Sequence, residues 1–321
     1  MQVVQSKKIK QWVVLGTGGT IAGTAASVSD HTAYTAAQLG VAQLMSALPG
    51  VDQVLGGDTL QVEQVAQLDS KDMDHATWQR LALRCQHWLA QPEVGGIVIT
   101  HGTDTLEETA WFLQQVLHAA KPVVLTCAMR PATALAPDGP QNLLDALTVA
   151  HHPQAQGVLA VCAGRIHSAR EVQKVHPYRL DAFSSGEAGP LGWVEQGQVR
   201  WSGPCHAPEP HAHASKVLAR PAADWPWVEV LHSHAGADAR QVRALVAAGV
   251  KGLVVAGTGN GTVHQSLLNA LAEAQAQGVA VRLTTRCAEG QIVGQPAALA
   301  LTPLGLNAYK AGVSLLLDLM A

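Results

Sequence analysis

A basic excess is missing from this chain. Its 21 lysines and arginines are outnumbered by 24 aspartates and glutamates, for a formal net charge of −3, so neither nucleic acid nor an anionic membrane is expected as the main partner. Long apolar runs are missing too, since no stretch reaches the roughly 18 residues that a membrane span requires. Lys7, Lys8 and Lys10 precede an apolar run, Trp12–Leu15, that stops at Gly16. That is short of the roughly 7–15 residues of a signal-peptide core, and the segment reads as a basic tail entering a first strand. Paired cysteines are also absent: Cys85, Cys127, Cys162, Cys205 and Cys287 are scattered, odd in number and never spaced as CxxC. This argues against a disulfide framework or a zinc ladder and fits a cytoplasmic setting, although a secreted form without its leader would look the same. Charged residues are only 14% of the chain against 48% apolar. That balance excludes disorder, provides a real core, and at 321 residues suits two domains.

What is present is an alternation of short β-rich runs with helical patterns, the mark of βαβ units and a largely parallel sheet. Strands are expected at Trp12–Leu15, Ile97–Thr100, Val123–Thr126 and Val158–Cys162. After Thr105, residues Leu106, Thr109, Ala110, Leu113 and Leu117 recur at helical spacing, with Glu107 and Glu108 in the first turn where the helix dipole favours them. Gly192–Trp201 reads as a hairpin turning at Glu195–Gly197. Pro204, Pro208, Pro210 and Pro221 then punctuate a stretch with His206, His211 and His213, read as a linker in preference to a metal site. A second α/β unit follows: strand Trp227–Leu231, a helix opened by Asp238, strand Gly252–Ala256, a helix near Val263–Ala276, strand Val279–Thr284 and a last helix over Ala308–Met320. The expected domains are therefore 1–203 and 225–321, joined by a linker over 204–224.

The first strand runs into Gly16-Thr17-Gly18-Gly19-Thr20-Ile21-Ala22-Gly23. A glycine-rich turn leaving a parallel strand sits where open α/β sheets bind ligands. A dinucleotide fingerprint begun at Gly16 needs glycine where Ile21 stands, and a phosphate loop needs lysine where Thr24 follows Gly23. Both fail, leaving the hydroxyls of Thr17 and Thr20 on a tight turn. Threonine attacks only when a neighbouring base takes its proton. The second such turn, His101-Gly102-Thr103-Asp104-Thr105, follows the strand ending at Thr100. Taken alone, Asp104 or Thr105 could merely cap the helix behind it.

Together, the two turns resemble the bacterial-type L-asparaginase family: TGGTIAG at Thr17–Gly23, THGTDTLEET at Thr100–Thr109, AMRP at Ala128–Pro131 and DGPQN at Asp138–Asn142, in the family's order and spacing. The similarity extends from about Val13 to about Gly261. It implies an α/β, two-domain asparaginase-like fold, with a larger N-terminal domain of mostly parallel sheet and a smaller C-terminal α/β domain. It also implies an amidohydrolase that needs no metal or organic cofactor, and a homotetramer built as a dimer of dimers with sites at interfaces. By the same resemblance Thr20 matches the nucleophile and Tyr34 the lid tyrosine that contacts it. Ser70 matches the serine that holds the substrate α-carboxylate. Thr103, Asp104 and Lys174 match a Thr–Lys–Asp relay, Ala128 the backbone carbonyl facing the substrate amide, and Asn260 a residue reaching the neighbouring subunit's site. The set is chemically coherent: a lysine beside an aspartate can act on a threonine hydroxyl if burial moves it toward neutrality. Backbone N–H groups at the two turns are natural oxyanion stabilisers.

Departures bear on affinity. Lys71 stands where relatives carry glutamine or glutamate for the substrate's α-amino group, and is expected to swing outward or pair with Asp72. The partner-subunit acid finds no clear match in Thr285–Leu304, with Glu289 the nearest candidate. His232 and His234, flanking Ser233, read as packing or linker-facing residues and not as part of a triad. The alternatives are a glutaminase-asparaginase of broad amide preference, the amidase subunit of a tRNA-dependent amidotransferase, and a catalytically inactive ligand-binding relative. Retention of Thr20, Thr103, Asp104 and Lys174 together argues against the last.

Overall fold

The computed structural model describes residues 9–30, 32–203, 205, 211–294, 299–300 and 305–321. Two compact units divide the chain, Met1–Glu209 and Pro210–Ala321. The first contains, in chain order, β1 (Gln11–Gly18), β2 (Thr24–Ala25), β3 (Tyr34–Thr35), α1 (Val41–Ser46), α2 (Val51–Leu55), β4 (Thr59–Leu68), α3 (His75–Leu89), β5 (Val94–Thr100), α4 (Leu106–Val116), β6 (Val123–Thr126), α5 (Gly139–His151), β7 (Val158–Cys162), β8 (Arg165–Ser168), β9 (Gln173–Lys174), β10 (Phe183–Ser184), β11 (Gly192–Glu195) and β12 (Gln198–Trp201). Its large sheet has the order β12-β11-β8-β7-β6-β5-β1-β4. Neighbours from β4 to β7 run parallel, while the β7–β8, β8–β11 and β11–β12 pairs are antiparallel.

Parallel strands covered on both faces are apolar throughout, and Val13–Leu15, Ile97–Ile99, Val123–Leu125 and Val158–Val161 are accordingly buried. Trp12 fixes where β1 meets β5. A Cβ on Gly95 would stand 2.8 Å from its ring, and one on Gly96 2.9 Å, so glycine at both positions makes room for the indole. From β1 the chain passes to β4 on one side and returns to β5 on the other. The crevice at the carboxyl ends of β1 and β5 is thus a topological switch point, the place where such sheets bind ligands. The hairpin read at Gly192–Trp201 is β11–β12, turning through Gln196 at φ 50° and Gly197 at φ 71°.

The second unit contains α6 (Ala214–Ala219), β13 (Val228–His232), α7 (Arg240–Ala247), β14 (Gly252–Gly257), α8 (Gln265–Ala276), β15 (Ala280–Thr285) and α9 (Ala308–Asp318). Its three strands pair in parallel in the order β13-β14-β15. Leu231, Leu253, Val255, Leu271 and Leu283 belong to a core of its own. Of the segment 204–224, Pro204 and residues 206–210 lie outside the described residues. The remainder includes α6, with Ala214, Val217 and Leu218 buried. Together the two units make the α/β, two-domain architecture with a larger, mostly parallel N-terminal sheet.

Candidate active site

The end of β1 is built for close approach. Its register against β4 shifts between Gly16 and Gly18. Gly18 and Gly19 adopt φ of 104° and 83°, a region L side chains rarely enter. A Cβ on Gly19 would collide with the backbone of Gly102, and one on Gly102 with Ser70 Oγ. The turns after β1 and β5 therefore lie backbone against backbone.

Partners separate the two candidate hydroxyls of the first turn. Thr17 is buried and its Oγ1 donates to the Thr100 carbonyl at 2.9 Å, tying β1 to β5. Thr20 opens a 3₁₀ turn, Thr20–Ala22, and its Oγ1 lies 2.6 Å from the phenolic oxygen of Tyr34, where either atom can donate. Tyr34 comes from the β2–β3 hairpin, which is tied to the segment after β6. Ala132 N donates to Gly23 O at 2.9 Å, Ala25 N to Thr133 Oγ1 at 2.8 Å and Leu135 N to Val28 O at 3.0 Å.

In the second turn neither Asp104 nor Thr105 caps α4 with its side chain. Thr105 Oγ1 donates instead to the Ser70 carbonyl at 2.8 Å, and Asp104 N to Ser70 Oγ at 3.1 Å. Ser70 is buried, and because its oxygen accepts this N–H, its own proton is left for an acceptor. Lys174, from β9, donates through Nζ to Thr103 Oγ1 at 2.8 Å and to Asp104 Oδ1 at 2.6 Å. The ammonium is largely covered, while half of the Asp104 side chain faces solvent. His101 is fully buried, with Nδ1 2.7 Å from Gly102 O. A carbonyl only accepts, so that bond puts the ring proton on Nδ1. Burial lowers the pKa of the ring to about 4, keeping it neutral.

Ala128 lies in the run Cys127–Arg130 after β6, and the N-terminal end of α5 grips that run. Asp138 Oδ2 accepts from Met129 N and Oδ1 from Arg130 N, both at 2.9 Å, and Asn142 Nδ2 donates to Cys127 O at 2.9 Å. Sequence reasoning quoted Asp138 and Asn142 only as the ends of the DGPQN string and assigned them no function. The thiols of Cys127 and Cys162 lie 3.3 Å apart, and that contact together with burial pushes the Cys127 thiol well above its ordinary value.

Thr20, Tyr34, Ser70, Thr103, Asp104, Lys174 and Ala128 all belong to the first unit, and direct bonds join Thr20 to Tyr34, Lys174 to Thr103 and Asp104, and Ser70 to Asp104. Lys71 Nζ is engaged elsewhere, 2.9 Å from Asp69 Oδ2 and 3.0 Å from Asp72 Oδ2 on an exposed turn. Those two hydrogen bonds raise its pKa. Asn260 belongs to the second unit, where its side-chain amide donates to Val293 O at 2.9 Å and accepts from Val293 N at 2.8 Å. Of the segment proposed to hold a partner acid, residues 295–298 and 301–304 lie outside the described residues, whereas Glu289 is exposed. Ser233 is buried and accepts from His264 N at 3.0 Å, a packing role. His206 lies outside the described residues, and the His211 and His213 rings are 5.8 Å apart with His211 turned to Asp318. Among the described residues no three His, Cys, Asp or Glu side chains are grouped to hold a metal ion, and no helix is long and apolar enough to cross a membrane.

Residues 11–206 match the family model for the N-terminal domain of asparaginase, and residues 227–315 match that for the glutaminase/asparaginase C-terminal domain. A glutaminase-asparaginase of Pseudomonas fluorescens biotype A is 37% identical over 283 residues, covering 87% of this chain and 76% of that protein. L-asparaginase 2 of Bacillus subtilis is 35% identical over 290 residues, covering 90% and 76%. The crystal structure of a probable cytoplasmic L-asparaginase from Campylobacter jejuni superposes with a TM-score of 0.88 at 35% identity, covering 97% of this chain and 95% of that one.

Proposed function

The chain belongs to the asparaginase family, and on that premise we propose that it hydrolyses L-asparagine to L-aspartate and ammonia with Thr20 as the nucleophile. The observation that carries this reading is the pairing of Thr20, in the turn after β1, with Tyr34 of β3 at 2.6 Å, beside a second turn whose Thr103 and Asp104 are held by Lys174 at 2.8 and 2.6 Å. Thr20 Oγ1 attacks the side-chain amide carbon, and its proton leaves through the Tyr34 oxygen. Backbone N–H groups at the two turns face the oxyanion that forms. The amide nitrogen takes up a proton and departs as ammonia, leaving an acyl ester on Thr20. Water then attacks that ester as Thr103 accepts its proton, passing its own to Lys174 while Lys174 passes one to Asp104. Thr20 Oγ1 regains its proton from Tyr34 as the acyl–oxygen bond breaks and aspartate leaves. Ser70 binds the α-carboxylate with its remaining proton. Every step uses side-chain and backbone groups of the protein, so no metal or organic cofactor is required.

A second reading, broad glutaminase-asparaginase activity, is favoured by the name of the Pseudomonas relative. The two substrates differ by one methylene, a difference worth only about 1–3 kcal/mol in a pocket. Ammonia release from asparagine, glutamine and D-asparagine, measured side by side, decides between them. Release from L-asparagine well above the other two supports the first reading, comparable release from glutamine supports the second, and none from any overturns both. A homotetramer is part of the proposal, with Asn260 reaching a neighbouring subunit's site. So is a cytoplasmic location, which fits five unpaired cysteines and the name of the Campylobacter relative.

A further inference from the structure

We propose that Asp138 and Asn142 are positioning residues that aim the Ala128 carbonyl at the leaving amide nitrogen, an inference that rests on the amide-hydrolase reading above. Asp138 occupies the N-cap position of α5, where aspartate ordinarily turns its carboxylate onto the first amides of its own helix. Here it makes no such bond. Both of its oxygens reach back to the preceding segment and accept from Met129 N and Arg130 N. One helical turn later, Asn142 is 4% exposed. Its Nδ2 donates to Cys127 O at 2.9 Å and to Asp138 Oδ2 at 3.3 Å, and its Oδ1 accepts from Ala163 N at 3.0 Å. Ala163 holds φ at 49° in the tight β7–β8 turn, so Asn142 is anchored at its far end to a fixed backbone.

The grip is selective. Cys127 O, Met129 N and Arg130 N are all taken, whereas among the described residues no donor reaches the Ala128 carbonyl. A carbonyl whose flanking groups are clamped on both sides is preorganised, and what it can do is accept. An amide –NH₂, and the ammonia it becomes, supplies N–H donors. The alkoxy oxygen of an ester supplies none. The clamp therefore serves amide hydrolysis in particular, and that difference separates a positioning role from a merely structural one.

The test compares L-asparagine with the β-methyl ester of L-aspartate as substrates for the wild-type protein and for Asp138→Asn. The substitution replaces one acceptor oxygen with an –NH₂ that faces a backbone N–H, so the clamp must shift; a misplacement of about 1 Å can cost about 100-fold in rate. Asparagine hydrolysis should fall by about that factor, mainly in kcat, while ester hydrolysis stays near the wild-type rate. Equal losses on both substrates in a variant with native near-ultraviolet dichroism, or no loss on either, would overturn the proposal. If Asp138→Asn does not fold, Asp138→Glu, which keeps both oxygens on a longer arm, is judged by the same ratio. A wild-type protein that cleaves the ester but not asparagine would overturn the amide-hydrolase reading itself, independently of Asp138.

Discussion

Two threonine hydroxyls leave the first turn within three residues of each other, and their partners give them opposite predicted phenotypes. Thr17 spends its proton on the Thr100 carbonyl. Thr17→Val should therefore lower stability by about 1–2 kcal/mol for the lost buried bond, as read by urea unfolding, and leave kcat nearly intact. Thr20→Ala deletes the attacking atom and little volume. Turnover should fall by several orders of magnitude with the unfolding midpoint almost unchanged, and near-wild-type activity would sink the assignment. Lys174→Met keeps the length of the side chain but not its donor, and should collapse kcat at a nearly constant KM. A raised KM with kcat held would mean that Lys174 binds substrate and does not move protons. Thr17 and Thr20 were legible because they sit in a glycine-rich string whose hydroxyls are unusual for such a turn, whereas Lys174 was reached only through the family resemblance. Asp138 and Asn142 were not, because their role depends on which way a carboxylate points, and a capping aspartate looks the same in sequence whether it serves its own helix or a neighbouring loop.

Helix α4 shows one local rule overruled by burial. Glu107 and Glu108 stand in its first turn, where the dipole favours a negative charge by about 0.3–1 kcal/mol. Packing covers Glu108, however, and desolvation, helped by the neighbouring charge of Glu107, raises its pKa to about 7. Burial wins. A carboxyl whose folded pKa lies above its unfolded value contributes stability that is complete below about pH 4.5 and is lost as pH rises through about 7. Glu108→Gln, which cannot ionise, should match the wild type near pH 4 and exceed it by up to about 3 kcal/mol near pH 8, as measured by urea unfolding at both values. A constant difference across that range would contradict the shift. Elements with continuous apolar runs, such as β5, β6 and β7, were readable as strands. Strand β4 was not: it lies at the sheet's edge, and Glu63 within it bonds Arg84 at 2.6 Å and Trp88 at 2.8 Å on α3. Its polar residues thus mask its period. Helix α5 was hidden by opening with Gly-Pro, which reads as a break although proline is tolerated in a first turn.

For the whole molecule, the proposal that Asn260 completes a neighbour's site requires assembly. Light scattering should find active protein at four times the 33.6 kDa chain mass, or at least twice, and a fully active monomer would contradict it. The position of β1 carries a different consequence, for the order of events in folding. This first strand is an interior one, flanked by β4 and β5, so neither of its partners exists when it leaves the ribosome. Val13, Val14 and Leu15, all buried in the finished sheet, must wait through synthesis of residues 59–68 and then 94–100 before both edges of the strand are paired. Parallel pairings across such separations are slow because loop closure comes before any contact rewards it. Until then the apolar strand is an aggregation hazard. Spontaneous refolding from denaturant should consequently be slow and should lose yield as protein concentration rises, while β1, made before both of its partners, is among the last strands to be secured.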